Sequence, residues 1–187
     1  MTAPVPAPVV VVRRPAYLLV PLLVGAVVAV ALGVYGKVHT PTGHALFHAP
    51  FPSMFAMKVW LTVAAGGFAL VQGVTALWMY GKLGGQAPGW VGPLHRTTGV
   101  IAFLLTLPVA FHCLWALGFQ TTDARVIAHS LLGCVFYGAF VAKVLTLHSR
   151  RVPNWALPWV GGLLFTVLVA VAGTSAAWYL ATIGVPH

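Results

Sequence analysis

Two apolar segments decide the fold of this chain: residues 94–117 read LHRTTGVIAFLLTLPVAFHCLWAL, and residues 126–147 read VIAHSLLGCVFYGAFVAKVLTL. Each is long enough for the ~20 apolar residues with which a helix crosses a ~30 Å hydrocarbon core. The short loop between them carries Asp123, the only acid in the chain. We therefore predict two antiparallel transmembrane helices that are joined by this loop.

The rest of the chain has the same apolar character. Of its 187 residues, 60% are hydrophobic and 6% are charged, with a mean hydropathy of +0.95; soluble domains carry about 25% charged residues. We predict an all-α integral membrane helical bundle, a single domain over residues 17–183 that follows a flexible cytoplasmic tail, residues 1–16. Its five transmembrane helices are predicted over residues 17–35, 54–80, 94–118, 126–147 and 160–183, with residues 155–159 as an interfacial segment before the last.

Ten basic residues against one acid give a formal charge of +9. They lie at the ends of apolar segments rather than on one polar face, which argues against nucleic acid and indicates topology and contact with the lipid bilayer. With the N-terminus inside, seven lie on the cytoplasmic side and three outside. We therefore predict a multi-pass protein of the plasma membrane with its N-terminus in the cytoplasm and its C-terminus outside. The seven are Arg13, Arg14, Lys82, Arg96, Lys143, Arg150 and Arg151; the three are Lys37, Lys58 and Arg125.

Four histidines lie near the ends of the two deciding segments. His112 and His129 are both roughly 6 to 9 Å below the outer surface, at matching depth on neighbouring helices. A planar macrocycle between two helices needs one axial nitrogen from each side at one level, which predicts an outer haem. His95 and His148 match in depth at the inner end, but at ~100° per residue His148 is about 100° away from the face of His129.

These residues also carry a resemblance. Residues 95–105 (HRTTGVIAFLL), 112–115 (HCLW) and 128–133 (AHSLLG), with Tyr137 and Lys143, resemble membrane haem b proteins of the cytochrome b561-like and ferric-reductase-like families. The chain also resembles a five-helix family of uncharacterised actinobacterial membrane proteins. The first resemblance implies a core of four antiparallel helices around haem b, bis-histidine ligation and electron passage across the membrane. The histidine spacing departs from that of family members with two haems, which leaves open whether a second haem binds.

We therefore expect a haem b protein that performs one-electron transfer within or across the membrane, with a quinol or an outer redox protein as partner. His112 and His129 are the expected axial ligands, and His95 and His148 those of a second, inner haem. No side chain is expected to be catalytic in its own right, so any oxidoreductase activity would be that of the cofactor.

Cations are expected beside this site. Lys58 and Arg125 belong to the outer layer and are predicted either to meet the haem propionates or to reach the interface as ordinary snorkelling side chains. Arg125 could equally pair with Asp123. At the inner end, His95 and Arg96 could together bind a quinone head group or a lipid phosphate instead of haem.

Two other functions stay open. The chain could be a cofactor-free accessory or scaffold subunit of a larger membrane complex, such as a respiratory one, whose histidines only join helices. It could also handle metal at the outer face through His39, His44 and His48, although their spacing defines no coordination geometry. Cys113 and Cys134 lie inside apolar segments, where a buried structural thiol is the expected role, and a disulfide requires that their helix faces meet.

Overall fold

A computed structural model describes residues 12–186 of the chain, which form helices joined by loops and turns without a strand. Five helical spans in it are long and apolar enough to cross a membrane, as predicted. The spans contain α1 (Leu19–Val38), α2 (Met54–Met79), α3 (Val91–His112), α4 (Ala124–His148) and α5 (Ala156–Ala172). Further turns extend three of them: a 3-10 turn (Pro15–Leu18) before α1, a π-helical turn (Cys113–Leu117) after α3, and a second π-helical turn (Gly173–Ala177) followed by α6 (Trp178–Thr182) after α5.

Three helices begin earlier than predicted, each for a local reason. α3 begins at Val91 instead of residue 94, because the Val91 N–H donates to the Pro88 carbonyl at 3.0 Å. α4 begins at Ala124 because the Asp123 carboxylate caps it and accepts a hydrogen bond from the Val126 N–H at 3.0 Å. α5 begins at Ala156, inside the segment predicted as interfacial, because the Ala156 N–H donates to the Pro153 carbonyl at 3.0 Å and turns the chain directly into the helix.

The predicted N-terminal tail, residues 1–16, lies mostly outside the described residues. Its last residues are held against the loop between α4 and α5, since the Arg14 N–H donates to the Arg151 carbonyl at 3.1 Å. The 3-10 turn Pro15–Leu18 then leads into α1. The described end of the predicted tail is therefore anchored to the bundle.

Close helix packing joins α2 to α3, α1 to α4, and α4 to α5. Between α3 and α4 the contact is made by long side chains instead. The Tyr137 hydroxyl donates to the Thr106 carbonyl at 3.0 Å, and the rings of Phe103 and Phe140 stack with their centroids 3.7 Å apart. Helices α2, α3, α4 and α5 thus surround a central space, and α1 lies outside them against α4.

Apolar side chains fill the middle of the bundle. Ala69, Phe136, Val167 and Leu168 form a buried cluster there, and Phe136 and Leu168 also face the open space between the helices. That space reaches the residues next to Asp123, so it lies in the half of the bundle that we name the Asp123 end. The opposite end, where α4 ends and the loop to α5 begins, is named the Arg14 end. Which end faces the cytoplasm stays a prediction.

The contact between α1 and α4 depends on two glycines. A Cβ on Gly138 would strike the carbonyl oxygen of Gly25, and a Cβ on Gly25 would strike that of Gly138. Because the obstacle is backbone, no rotamer change could relieve it. Membrane helices approach this closely only where small residues face each other, and the approach supplies the van der Waals contact that holds them together.

Gly138→Ala should therefore destabilise the protein by about 1–3 kcal/mol, the usual cost of overpacking. Gly133→Ala is the matched control, because a Cβ there on the same helix would meet nothing within 4 Å. The measurement is the unfolding midpoint of each variant during titration with a denaturing detergent. Equal midpoints for the two variants would contradict the close contact between α1 and α4.

Candidate functional site

A cavity of about 440 Å³ occupies the Asp123 end of the bundle. Its volume falls in the range of about 300–1,000 Å³ that small-molecule and cofactor sites occupy. Its walls come from α2, α3, α4 and α5, with Leu32 of α1 as a further lining residue, and they are mostly apolar with a few polar side chains among them. The polar or ionisable residues that matter below are Lys58, Thr106, Cys113, Arg125, His129, Tyr137 and Thr174.

Both π-helical turns lie on the wall of this cavity. Cys113–Leu117 extends α3 and Gly173–Ala177 extends α5, and each contributes lining residues. The first follows Pro108, which lies inside α3 and cannot donate a backbone hydrogen bond. Single π-helical turns are uncommon and occur frequently at functional sites. Two at one end of one bundle indicate that the local backbone is shaped around the cavity.

His129 is the one histidine among the residues that line the cavity. Its Nδ1 lies 3.3 Å from the Thr174 Oγ1, and that hydroxyl donates its own proton to the Ala170 carbonyl at 2.9 Å. A hydroxyl that donates to a carbonyl can accept from Nδ1–H, and in that tautomer the lone pair of the neutral ring is on Nε2. A ring fixed at one nitrogen by a neighbouring oxygen is the usual state of a metal-ligating histidine.

Cys113 and Lys58 also line the cavity, beside His129. Cys113 and Cys134 are free thiols, so the disulfide left open by the sequence is not formed. A thiol, an amine and an imidazole thus meet at one place inside an apolar cavity. Such convergent polar groups are what give an apolar pocket its specificity.

Arg125 closes the cavity near the N-terminus of α4. Its guanidinium donates to the Thr174 carbonyl at 2.8 Å and lies 3.7 Å above the ring of Trp178. It does not form the pair with Asp123 that the sequence left open, because the Asp123 carboxylate caps α4. Arg125 therefore ties α4 to the π-helical turn after α5, while its charge remains at the cavity wall.

His112 lies outside the cavity, in contrast to the expected arrangement. Its ring is completely buried, with Nδ1 2.8 Å from the Pro108 carbonyl and with Nε2 accepting from the Phe47 N–H at 3.5 Å. The Phe47 ring also packs against it edge-on, at 4.7 Å between centroids. The structure therefore does not bring His112 and His129 together as facing ligands. The face of α3 that carries His112 is covered by the loop before α2.

The inner pair is not brought together either. The His95 Nδ1 lies 2.8 Å from the Thr75 Oγ1, which places the ring between α2 and α3. His148 is exposed, with its Nδ1 2.8 Å from the Val144 carbonyl one turn earlier. Arg96 is exposed as well. The helical angle placed His148 on a different face from His129, and in the structure His95 and His148 lie in different surroundings.

The three loop histidines have separate backbone partners. The ring nitrogens of His39, His44 and His48 contact the carbonyls of Trp115, Thr42 and Phe51 respectively, at 3.2, 2.8 and 2.7 Å. Over residues 12–186, no three side chains of His, Cys, Asp or Glu form a group that could hold a metal ion. In the described part of the chain these histidines shape the loop.

Sequence reasoning missed two residues of the site. Thr174 gave no signal beyond a Thr-Ser pair in an otherwise apolar span, and its role depends on α5 packing beside α4. Cys113 was expected to be a structural thiol, yet it lines the cavity that His112 was expected to line. His112 and Cys113 are adjacent in sequence, and their side chains point about 100° apart on a helix. The prediction was therefore wrong by one residue: it placed His112 on the cavity wall where the structure has Cys113.

Arg125→Lys should lower stability by about 1 kcal/mol. An ammonium keeps the charge but loses the flat stacking on Trp178, which is worth about 0.5–2 kcal/mol at this kind of site. Arg96→Lys, on an exposed side chain, is the matched control. The thermal unfolding midpoint in mild detergent measures both. If the two variants unfold alike, the contact with Trp178 does not stabilise the protein.

No curated protein and no solved structure matches this chain. Residues 18–187 match a protein family whose description is "Family of unknown function (DUF6529)". The matched residues include almost all of the first span and the whole of the other four, together with every residue of the cavity discussed above. On this match, the chain belongs to the DUF6529 family.

Proposed function

We propose that this protein is a membrane haem b protein that transfers single electrons, with the haem in the Asp123-end cavity and His129 as an axial ligand. One observation carries the proposal: a lone imidazole, held at Nδ1 by a hydroxyl, stands in an apolar cavity enclosed by four helices. Imidazole is a usual axial ligand of haem, and intramembrane ionisable residues are rare and usually functional.

The residues around the cavity suit this cofactor in three respects. The walls are apolar, as a macrocycle requires, and His129 offers Nε2. Lys58 and Arg125 supply positive charge for the two propionates. The second axial position is not filled by the expected His112, which lies outside the cavity. The cavity groups next to His129 that carry donor atoms are Cys113 and Lys58.

Bound haem would supply a reversible one-electron couple. The protein's own residues would set its environment: Thr174 orients the His129 ring, Arg125 and Lys58 provide charge at the wall, and apolar side chains exclude water. We propose one haem for each chain, because His95 and His148 occupy separate surroundings. A membrane quinol or a redox protein at the outer face is the proposed electron partner, in a plasma membrane with the N-terminus inside.

The test is a reduced-minus-oxidised visible spectrum of the purified protein from haem-replete cells, with haem quantified per chain. We expect a b-type spectrum at one haem per chain. His129→Ala should lose it, while His129→Met should keep haem with a changed potential, because methionine is also an axial ligand. His148→Ala, at an exposed histidine, is the matched control and should leave the spectrum unchanged.

Two results would overturn the proposal. A colourless wild-type protein would favour the cofactor-free accessory subunit, and full haem content in His129→Ala would move the site elsewhere. His112→Ala refines the assignment, since loss of haem there would mean that His112 turns into the cavity in the loaded protein. Circular dichroism of each variant separates loss of haem from loss of the helical fold.

A further inference from the structure

Four arginines meet at the Arg14 end of the bundle. They come from two distant segments, residues 13–14 and residues 150–151, which the hydrogen bond from the Arg14 N–H to the Arg151 carbonyl joins at 3.1 Å. The Arg13 guanidinium also donates to the Asn154 side-chain oxygen. All four side chains are exposed. We name this group the arginine cluster: Arg13, Arg14, Arg150 and Arg151.

The arginine cluster has no acidic partner among residues 12–186. Asp123 is the only acidic residue in the sequence, and it caps the N-terminus of α4, whereas the cluster follows the C-terminus of that helix. The 25 residues of α4 put about 37 Å between them. Charges this far apart are screened, since the Debye length is about 8 Å at physiological ionic strength. An anion from outside the chain can therefore balance the charge of the cluster.

The residues around the arginine cluster indicate at which level of the membrane it lies. The Arg151 guanidinium is 5.5 Å from the ring centroid of Tyr17, and Trp155 and Trp159 are exposed on the adjoining part of the chain. Tyrosine and tryptophan concentrate at the level of the lipid head groups. Because α1 and α5 begin here and α4 ends here, the cluster lies at the edge of the membrane-spanning helices.

We infer that the arginine cluster binds the phosphate head group of an anionic phospholipid, which bridges the segment before α1 and the loop between α4 and α5. Guanidinium groups suit phosphate because their planar N–H donors bind two oxygens at once. The bridge would fasten two segments that are otherwise joined by one backbone hydrogen bond, one side-chain hydrogen bond and the contact of Arg151 with Tyr17. This inference is independent of the haem proposal.

The test is native mass spectrometry of the full chain in neutral detergent, titrated with phosphatidylglycerol and, separately, with phosphatidylcholine. The wild type should retain phosphatidylglycerol and release phosphatidylcholine. Arg14→Gln with Arg151→Gln should bind phosphatidylglycerol about 30-fold more weakly, on the basis of two arginines near a lipid surface. Lys37→Gln with Lys82→Gln is the matched control, since it removes two exposed charges outside the cluster and should change binding less than about threefold.

Equal weakening in the two double variants would overturn the inference, because it would show an effect of surface charge alone. Equal retention of both lipids by the wild type would also overturn it. Inorganic pyrophosphate that displaces phosphatidylglycerol at equal concentration would mean that the site takes free phosphate rather than lipid. As a check on folding, Arg14→Lys with Arg151→Lys should recover part of the affinity, since it restores both charges without the bidentate geometry.

Discussion

The cavity, and with it the candidate site, depends on the separation of α3 from α4. Backbone groups inside a bilayer must be satisfied within each helix, so only side chains can bridge a gap between two helices. Here the bridge consists of the Tyr137 to Thr106 hydrogen bond and the stack of Phe103 on Phe140. These long side chains keep the two backbones apart. The space between them stays open at the Asp123 end, while apolar residues fill the middle.

His112 and His129 differ in the partners of their rings. Both ring nitrogens of His112 have backbone partners, the Pro108 carbonyl and the Phe47 N–H. Such a ring joins a helix to the loop that covers it. His129 has a hydroxyl at one nitrogen and a cavity beside it. The ring of His129 therefore has cavity side chains, Cys113 among them, as neighbours instead of a covering loop.

The number of spans could be predicted from the sequence because each membrane helix satisfies its own backbone and must be apolar over ~20 residues. Those conditions apply within each helix, so the local composition reveals them. Which element packs against each helix face depends on residues that are far apart in the sequence. The matching depth of His112 and His129 follows from residue counts, but α3 packs its faces against α2 and the loop before it, and α3 meets α4 only through long side chains. Residue counts therefore predict the depth and the approximate angle of each histidine, but not which element packs against it.

The only acidic side chain of the sequence caps a helix, and both candidate ligand sites, the cavity and the arginine cluster, carry positive charge. Asp123 accepts from the Val126 N–H, and it is the one acidic side chain for ten basic residues. Arg125 is satisfied by a carbonyl and an indole ring, which are neutral and leave its positive charge in place. Lys58 stands at the wall of an apolar cavity, and four arginines share one edge of the bundle. An uncompensated charge in or near a low-dielectric layer is costly, and an external anion lowers that cost. Haem propionates at the Asp123 end and a lipid phosphate at the Arg14 end would therefore each supply negative charge to a positively charged site.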